Sequence, residues 1–592
     1  MTRARRPATA LAAVLLGLLA TAGCVSLPRG GSVHTAPQST RVDDDGALDY
    51  TPGGPKHGAT PGNIVENFLV AMTATPVNTS VARRFLTDAA SRTWVPEKGT
   101  LVYGSRDVRL AGPHAQVRLG STVRLDGRGH WLGDTSGGAG SALDLHLVKE
   151  AGQWRISDPP DALVIPRTHF ESTFTQYNLY FFDKTSQVLV PEPVYVPRGA
   201  QAPTVLVSGL LAGPGRDLLG VERSYLPART LLDDLSVPVT RDGTAVVPLT
   251  DQVLDLGDDR LALAFAQLAW TLGQIPGIER MRITVDGSPL DLPGEGSDIA
   301  VGSWTEYDPA VAWASQTLFG LRAGKVVSET GGHESATSGA FGALALGVRT
   351  FTVDLQAENV AAVTATGTQV RVAPRDAVAG RPPTSADARP VYAGTDVLRP
   401  VYDVSGRLWL LDRTRAGARV VVVDKSGAHP VGVSGVSGEP VTAFTLSRDG
   451  TRLVAAVHGA GTDRLVIARV QREDDGAVRK VGAARTLPLP DAPARVSDLA
   501  WRTAGSLAAL TEPAADVAQV VVAPVDGSAG TGDLAGDAQP FREHASALVT
   551  APTLGAPLYL ATDAGRVYTL TTSGRWATAG IDEGLFGPTF PG

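Results

Sequence analysis

The chain has 592 residues, of which 43% are hydrophobic and 19% charged, and its formal net charge is −7. These values are ordinary for globular protein, and an acidic chain without a stripe of Lys and Arg is not expected to bind nucleic acid. The single cysteine excludes an intramolecular disulfide, so stability must come from hydrophobic cores. This length predicts about three or four domains.

The N-terminus has the pattern of an export signal. Arg3, Arg5 and Arg6 precede an apolar stretch over residues 8–22, which is typical of a secretory signal peptide. The stretch is shorter than the ~20 residues that a membrane-spanning helix needs, and no later segment is predicted to span a membrane. Without these three arginines the formal net charge falls from −7 to −10.

Cys24, the only cysteine, directly follows Ala22 and Gly23. This arrangement resembles a bacterial lipobox, in which the cysteine thiol is diacylated with chains such as palmitate and the cysteine becomes the new N-terminus, although Thr21 stands where a lipobox usually has Leu. We therefore expect residues 1–23 to be a lipoprotein signal peptide and Cys24 to be the lipid anchor. Two or three acyl chains hold a protein at a membrane far better than one. The alternative is an ordinary signal peptide with a chance cysteine.

The predicted lipid anchor places the protein at the extracytoplasmic face of the cell membrane. Abundant Ala, Gly and Pro beside few Lys indicate a GC-rich genome, and together with the lipobox they suggest an actinobacterium. Residues 24–60, rich in Gly, Pro, Ser and Thr, are predicted to be a flexible tether that cannot bury a core.

Residues 61–175 are predicted to form a first α+β domain. "PGNIVENFLVAMT" places Ile64, Phe68 and Met72 on one helix face, and "TSVARRFLTDAASRTW" repeats that pattern. Alternating strands follow, and "SALDLHLVKEAGQWRISDPP" is a hairpin with "EAGQ" at its turn. Helices followed by an antiparallel sheet are similar to the NTF2-like fold.

Residues 176–305 are predicted to form a second α+β domain. "YNLYFFD" reads as a strand and "TVLVSGLLAGP" as a strand followed by a helix. Asp258 or Asp259 is predicted to cap a long helix that ends near Gly273 and Pro276 and is followed by the strand "ERMRITVDG". One face of this helix is predicted to consist of Leu261, Phe265, Leu268 and Leu272.

Residues 313–592 are predicted to form a β-propeller of about five or six blades. Glycine turns followed by β-rich runs recur with spacings of about 40–50 residues or more. Unpaired edge strands invite aggregation, so the ring is predicted to close with strands from both ends. Residues near 317–327 are expected to pair in the same blade as residues near 558–578. The predicted strand openings are Val360, Leu408, Leu453, Leu507 and Val567.

The phrases "PGNIVENFL", "ARRFLT", "SGLLAGP" and "LFGLRAGKV" occur in this order along the chain. With the lipobox and the three domains, they resemble the actinobacterial lipoprotein LpqB family, and residues 176–305 are similar to the GerMN domain. The resemblance implies an accessory lipoprotein that binds the extracellular domain of a membrane sensor histidine kinase. That kinase would belong to an Mtr-type two-component system, whose signalling in cell-wall homeostasis the protein would modulate.

No motif in the sequence predicts catalysis, a metal or a cofactor. The ten histidines show no H-E-x-x-H pattern, and His333, Glu334 and Ser335 lack the G-x-S-x-G of a nucleophile elbow. The Gly-rich residues 213–215 lack the Lys-Ser/Thr ending of a phosphate loop. The adjacent pairs Asp233–Asp234 and Asp258–Asp259 favour a role in helix capping over a role in acid–base catalysis.

Five tryptophans with apolar flanks favour core packing over sugar stacking: Trp94, Trp154, Trp270, Trp409 and Trp501. Two hypotheses therefore remain. The first is a lipid-anchored binding and regulatory protein without enzymatic activity. The second is an envelope hydrolase, or a glycan- or peptide-binding protein, that uses the mouth of the propeller. Convergent acid, base and nucleophile in the channel would favour the hydrolase, whereas a smooth channel and an apolar patch on the α+β domains would favour the first hypothesis.

Overall fold

The computed structural model describes residues 49–134, 142–215, 218–311, 313–331, 333–489, 495–528, 539–553 and 555–592. The predicted signal peptide, Cys24 and most of the predicted tether lie outside these ranges. All described residues belong to one compact unit.

The first helix, α1 (Pro61–Ala71), forms as predicted. The hydroxyl of Thr60 accepts a hydrogen bond from the backbone N–H of Asn63, which satisfies one free donor of the first turn. Pro61 fits this turn because it has no N–H to satisfy. The face that includes Ile64 and Phe68 is fully buried and forms part of the core of the first unit.

The second predicted helix, over residues 79–94, is interrupted. Two helices take its place: Ser80–Arg83 (α2) and Asp88–Thr93 (α3). Between them the N–H of Ile156 donates to the carbonyl of Phe85 (3.0 Å), and the N–H of Thr87 donates to the carbonyl of Ile156 (2.9 Å). The hydroxyl of Thr87 then caps α3 by accepting from Ala90 N–H (3.2 Å). Strand-like pairing therefore takes the backbone groups that a continuous helix would use.

Two four-stranded sheets complete the first unit. The strands are β1 (Gly99–Tyr103), β2 (Ser105–Ala111), β3 (His114–Gly120), β4 (Val123–Asp126), β5 (Trp131–Asp134), β6 (Ala142–Glu150), β7 (Gln153–Ile156) and β8 (Leu163–Pro166), followed by helix α4 (Arg167–Thr173). The orders of the strands in the two sheets are β5-β4-β1-β8 and β2-β3-β6-β7. The predicted hairpin is present as β6 and β7.

The second unit contains a strand–helix–strand motif, as predicted. Strands β12 and β13 pair in parallel, with Thr244 opposite Arg280, and a long helix joins them. The elements are β9 (Phe174–Asp183), β10 (Leu189–Pro197), α5 (Ala202–Leu211), β11 (Glu222–Arg223), β12 (Thr244–Leu249), α6 (Asp258–Leu272), β13 (Arg280–Val285), β14 (Ser288–Pro289) and β15 (Ile299–Ala300). The predicted face of α6 is buried in the core of this unit.

Two local predictions for this unit are wrong. The segment "TVLVSGLLAGP" is not a strand followed by a helix, because α5 runs through its first eight residues. Leu206 and Leu210 are four residues apart and both fully buried, and this helical spacing prevails over the β-propensity of the valines. The N-cap of α6 is Gly257 rather than Asp258 or Asp259, which lie in the first turn and make no side-chain cap.

The third unit consists of antiparallel sheets. Its strands are β16 (Leu318–Arg322), β17 (Lys325–Thr330), β18 (His333–Ala336), β19 (Val348–Val353), β20 (Asn359–Thr364), β21 (Gln369–Pro374), β22 (Arg389–Ala393), β23 (Val401–Tyr402), β24 (Leu408–Thr414), β25 (Gly417–Asp424), β26 (Gly427–Val431), β27 (Val441–Leu446), β28 (Arg452–Val457), β29 (Arg464–Arg472), β30 (Val478–Val481), β31 (Arg485–Leu487), β32 (Val496–Thr503), β33 (Ser506–Ala514), β34 (Val517–Pro524), β35 (Ala545–Val549), β36 (Tyr559–Thr562), β37 (Val567–Leu570), β38 (Trp576–Thr578) and β39 (Phe586–Thr589). Helix α7 (Ala340–Ala343) lies between β18 and β19.

In the described part of the chain these strands form six sheets around a centre. The sheets begin with β19, β23, β27, β32 and β35, and the sixth has the order β18-β17-β16-β39. One end strand of each sheet contacts an end strand of the next, in the order β39, β19, β23, β27, β32, β35 and back to β39. This closed ring is the arrangement of a β-propeller.

The ring closes with strands from both ends, but not through the predicted residues. Strand β16 pairs with β39, with Phe319 opposite Thr589. Residues 558–578 instead lie in the four-stranded sheet β35-β36-β37-β38, which is complete without β16. Val567 therefore lies in the third strand of its sheet, whereas Val360, Leu408 and Leu453 lie in the second strands of theirs. For this reason the last spacing between predicted strand openings is longer than the earlier ones.

We expect deletion of residues 586–592 to leave β16 as an unpaired edge, so that the protein aggregates and its thermal midpoint falls by about 5 °C or more. Thermal unfolding and light scattering measure both effects. The matched control is Phe586→Ala, because this side chain is 44% exposed and the substitution leaves the backbone pairing in place. A deleted chain that stays monomeric and melts with the full-length protein would contradict closure by β39.

Candidate functional site

Arg448 lies at one end of the central channel of the propeller, where it hydrogen-bonds to parts of the chain that are distant in sequence. Its guanidinium donates to the carbonyls of Ala310 (3.1 Å) and Pro591 (3.0 Å). The hydroxyl of Thr352 donates to the carbonyl of Gly592 (2.9 Å). Burial lowers the pKa of Arg448 to about 10, so the side chain stays charged at neutral pH. The segment that enters the propeller and the end of the chain are thereby fixed at one place.

These contacts leave little free volume at this end of the channel. The remaining cavity is about 70 Å³ and is lined by residues of the inner strands, among them Val401, Leu446, Trp501 and Val549. Ligand pockets typically measure about 300–1,000 Å³. This end of the channel is therefore filled by the protein itself.

A buried charge cluster joins the second unit to the same end of the propeller. Glu192 on β10 lies 2.7 Å from Arg452 on β28 and 2.7 Å from Arg469 on β29. Asp449, in the turn before β28, lies 3.0 Å from Arg452. The side chain of Arg452 is completely buried, so its charge depends on these two carboxylates for compensation.

Glu222, on β11, is the fifth member of the cluster. Its carboxyl lies 3.7 Å from Arg469 and is hydrogen-bonded to the carboxyl of Glu192. Burial, with the nearby charge of Glu192, raises the pKa of Glu222 well above its usual range. With Glu222 protonated, two arginines face two carboxylates, Glu192 and Asp449, and the cluster is neutral.

Further contacts extend the interface outward. Arg472 lies 2.8 Å from Asp403, whose carboxylate also accepts a hydrogen bond from the indole N–H of Trp409 (2.9 Å). The N–H of Arg472 donates to the carbonyl of Gly220 in the second unit (3.1 Å). At the rim, Asp474 lies 3.3 Å from Lys184.

The first unit is fixed to the second by backbone contacts. Arg128 donates to the carbonyl of Gly213 (2.8 Å), and the N–H of Tyr195 donates to the carbonyl of Gly129 (2.8 Å). Gly129 has a positive φ of 85°, and a Cβ there would lie 2.3 Å from the carbonyl oxygen of Tyr195, so this approach requires glycine. The rings of Trp131 and Tyr195 pack beside it, 5.5 Å apart.

The opposite end of the propeller is open. Strand β28 begins at Arg452 and ends at Val457, roughly 17 Å further along at about 3.3 Å per residue. Cavities of about 650 and 360 Å³ lie at that end, and both are lined by Arg413, Thr442 and Arg495. We call the two cavities together the distal groove.

His458 and His544 also line the distal groove. His458 lies 2.7 Å from Asp463, and His544 lies 2.9 Å from Asp563. The hydroxyls of the groove belong to Thr414, Thr442, Ser497 and Ser546, and neither imidazole is hydrogen-bonded to any of them. Among the described residues the groove therefore holds no hydrogen-bonded nucleophile–base pair of the kind that covalent catalysis uses.

The His, Glu and Asp residues singled out in the sequence lie apart from the buried charge cluster and from the distal groove. His333 and Glu334 are on the exposed strand β18, where Glu334 lies 2.6 Å from Arg322. Asp233 and Asp258 have exposed side chains. Cys24 lies outside the described residues.

The tryptophans mostly pack in cores, as predicted. Trp94 is buried and its indole N–H donates to the carbonyl of Pro160 (2.6 Å), and Trp409 is fully buried. Trp501 is also buried but lines the small channel cavity. Trp154 and Trp270 are half-buried and pack against core clusters.

Across the described ranges, no group of three or more His, Cys, Asp or Glu side chains is placed to hold a metal ion. Within the same ranges, no helix has the length and apolar character needed to cross a membrane.

The fold defines a β-propeller protein that carries two α+β units. Family models match these units in order: the N-terminal domain of lipoprotein LpqB over residues 54–171, the sporulation and spore germination domain over 178–291, and the LpqB beta-propeller domain over 324–591. The chain belongs to the lipoprotein LpqB family.

Curated relatives extend the match to most of the chain. Lipoprotein LpqB of Mycolicibacterium smegmatis is 31% identical over 502 residues, covering 79% of this chain and 80% of the relative. Lipoprotein LpqB of Thermobifida fusca is 27% identical over 591 residues, covering 89% and 91%. A solved structure, the first GerMN domain of the sporulation protein GerM from Bacillus subtilis, is 23% identical and covers 21% of this chain and 94% of that chain, with a TM-score of 0.18.

Replacement by glutamine is expected to change the stability of the protein differently at the two glutamates of the cluster. Glu192→Gln leaves two arginines without their shared carboxylate and should cost about 3–5 kcal/mol. Glu222→Gln keeps a neutral side chain and should leave stability at pH 5 near wild type. Because the pKa of Glu222 is raised on folding, wild-type stability should fall as the pH rises above about 4.5, and Glu222→Gln should remove this part of the fall.

Thermal midpoints measured between pH 5 and 8 test this expectation. Glu473→Gln is the control, because the Glu473 side chain is 60% exposed. A wild-type pH dependence that persists unchanged in Glu222→Gln would show that Glu222 is ionised in the folded protein.

Proposed function

We propose that the protein is a lipid-anchored accessory protein at the extracytoplasmic face of the membrane, and that it works by binding another envelope protein. The partner that the family resemblance implies is the extracellular domain of a sensor histidine kinase of an Mtr-type two-component system, whose signalling in cell-wall homeostasis the protein would modulate. In this proposal it is not an enzyme and uses no cofactor. Membership of a lipoprotein family supports the membrane anchor.

The closed end of the propeller is the observation that carries this proposal. Arg448 hydrogen-bonds to Ala310 and Pro591 there, and the cavity beside these contacts measures only about 70 Å³, too small for an ordinary substrate. Recognition at this end therefore falls to the outer surfaces of the units. Polar contacts join the second unit to the propeller and to the first unit, and a preorganised surface lowers the entropy cost of binding a protein partner.

The finer architecture is part of the same proposal. We infer that each of the six described sheets is one blade of the propeller, the last being completed by β39. The first unit places α1 against its sheets, an arrangement consistent with the NTF2-like fold.

The distal groove supports a second candidate function, the binding or hydrolysis of wall-derived glycans or peptides. Its larger cavity, about 650 Å³, lies in the size range of ligand pockets. Arg495 is exposed and makes no side-chain hydrogen bond or ion pair with any described residue, so it is free to bind an anionic ligand group.

Lipidation is expected at Cys24, which follows Ala22 and Gly23. Cys24→Ser should abolish incorporation of an alkyne-tagged fatty acid and release the protein from the membrane or leave it unprocessed. Thr21→Ala, which leaves the cysteine in place, is the matched control and should still be labelled. A labelled Ser variant would place the lipid elsewhere.

Partner binding is expected to be weak in solution and stronger on a membrane. Confinement of both proteins to one membrane face raises their effective concentration, so contacts of modest area suffice. The chain from Asp49 onward is suited to the solution measurement, because Tyr50 still pairs with Thr75 in it. Its association with the kinase extracellular domain is measured by calorimetry or interferometry, and the lipidated protein is then measured in a bilayer.

The same samples distinguish the two candidate functions. Association in either format supports the binding protein. Failure in both formats, together with binding or turnover of wall-derived fragments that Arg495→Ala weakens, would instead support the distal groove as the functional site.

A further inference from the structure

The second unit exposes three leucines beside strand β12. Leu231 is 63% exposed, Leu235 95% and Leu254 55%. Isolated exposed apolar side chains are common on protein surfaces, whereas several close together indicate an interaction site. We call these three residues the leucine patch.

The backbone around the leucine patch is held in place on both sides. The N–H of Leu231 donates to the hydroxyl of Thr250 (3.0 Å), and the N–H of Thr250 donates to the carbonyl of Leu231 (3.1 Å). Leu254 lies in the short helical turn Asp251–Asp255 that follows directly. The hydrogen bonds therefore hold the backbone segments that carry Leu231 and Leu254 next to each other.

The segment that carries Leu235 is fixed as well. Asp233 N–H donates to the carbonyl of Pro248 on β12 (3.0 Å). Val237 is buried, and its N–H donates to the hydroxyl of Thr204 on α5 (3.0 Å). The exposed leucines are thus displayed on an ordered backbone, and little backbone conformational entropy remains to be lost when a partner binds.

Acidic side chains surround the leucine patch. Residues 229–260 contain seven aspartates and three arginines, a net charge of −4. Six of these aspartates are exposed and form no ion pair with any described residue: Asp233, Asp234, Asp251, Asp255, Asp258 and Asp259. Their charge is available to a partner, and it would repel an anionic lipid surface.

We propose that the leucine patch and its acidic rim form a docking surface for a basic amphipathic segment of an envelope protein, with apolar side chains against the leucines and Lys or Arg against the aspartates. The proposal rests on the proposed function, because it assigns the protein-binding role to a particular surface and gives the chemistry of the partner. Apolar contact supplies the attraction, and the charge pattern selects the partner and speeds its approach.

The test compares patch variants with a matched surface variant in the chain from Asp49 onward. Leu231→Asp and Leu235→Asp change exposed side chains, and Leu110→Asp makes the same change at a 48% exposed leucine of the first unit. The probes are the kinase extracellular domain and an 18-residue helical peptide of Leu and Lys, with a Leu and Glu peptide as its counterpart. We expect each patch variant to weaken binding of the kinase domain and the Leu–Lys peptide more than tenfold, while Leu110→Asp binds normally.

Charge reversal tests the rim separately. Asp233→Lys with Asp255→Lys should weaken the Leu–Lys peptide, strengthen the Leu–Glu peptide and reduce the dependence of affinity on salt. Equal affinity of the patch variants and the wild type for both probes would overturn the docking surface. Leu235-dependent binding to phosphatidylglycerol vesicles, without peptide binding, would overturn the choice of a protein partner.

Failure of the two proposals can be told apart. If the wild type binds the Leu–Lys peptide through Leu235 but not the kinase domain, the docking surface stands and the kinase is not its partner. If the wild type binds the kinase domain and the patch variants bind it equally well, the proposed function stands and the docking surface is wrong.

Discussion

The assembly of the units depends on the compensation of one buried charge. Arg452 has no exposed side-chain surface, and its guanidinium is balanced by Glu192 from the second unit and Asp449 from the propeller. Loss of one partner would leave a charge buried in a medium that solvates it poorly. The second unit and the propeller therefore cannot separate without exposing this cluster to water, and β10 is fixed on the propeller face.

The same constraint decides which end of the propeller is accessible. The second unit contacts the propeller through Glu192, which pairs with Arg452, and Gly220, which accepts a hydrogen bond from Arg472. Arg452 lies only four residues after Arg448, so the second unit sits at the channel end that contains Arg448. The other ends of the same strands form the distal groove. The described part of the chain thereby offers two surfaces to which we assign recognition, a groove on the propeller and an apolar patch on the second unit.

The physical character of these surfaces differs. The distal groove combines the Arg495 side chain, which pairs with no described residue, with imidazoles that are held by Asp463 and Asp563, and this combination suits small polar ligands. The leucine patch combines apolar area with uncompensated carboxylates, which suits a larger basic partner. A membrane-tethered protein that binds partners weakly benefits from such a rigid display, because lipid anchoring supplies effective concentration and preorganisation lowers the cost of binding.

Periodicity in the sequence was sufficient to predict α1, the β6–β7 hairpin, α6 and the propeller, because local spacing alone decides which face of an element is buried. The resemblance gave the family. Local patterns missed the break at Phe85 and the closing role of β39, since distant strands compete for the same backbone groups. No local pattern in the sequence predicted the buried charge cluster either. Glu192, Glu222 and Arg452 are separated by up to 260 residues, and only the tertiary fold brings them out of water together, where burial and neighbouring charge decide which of them holds a proton.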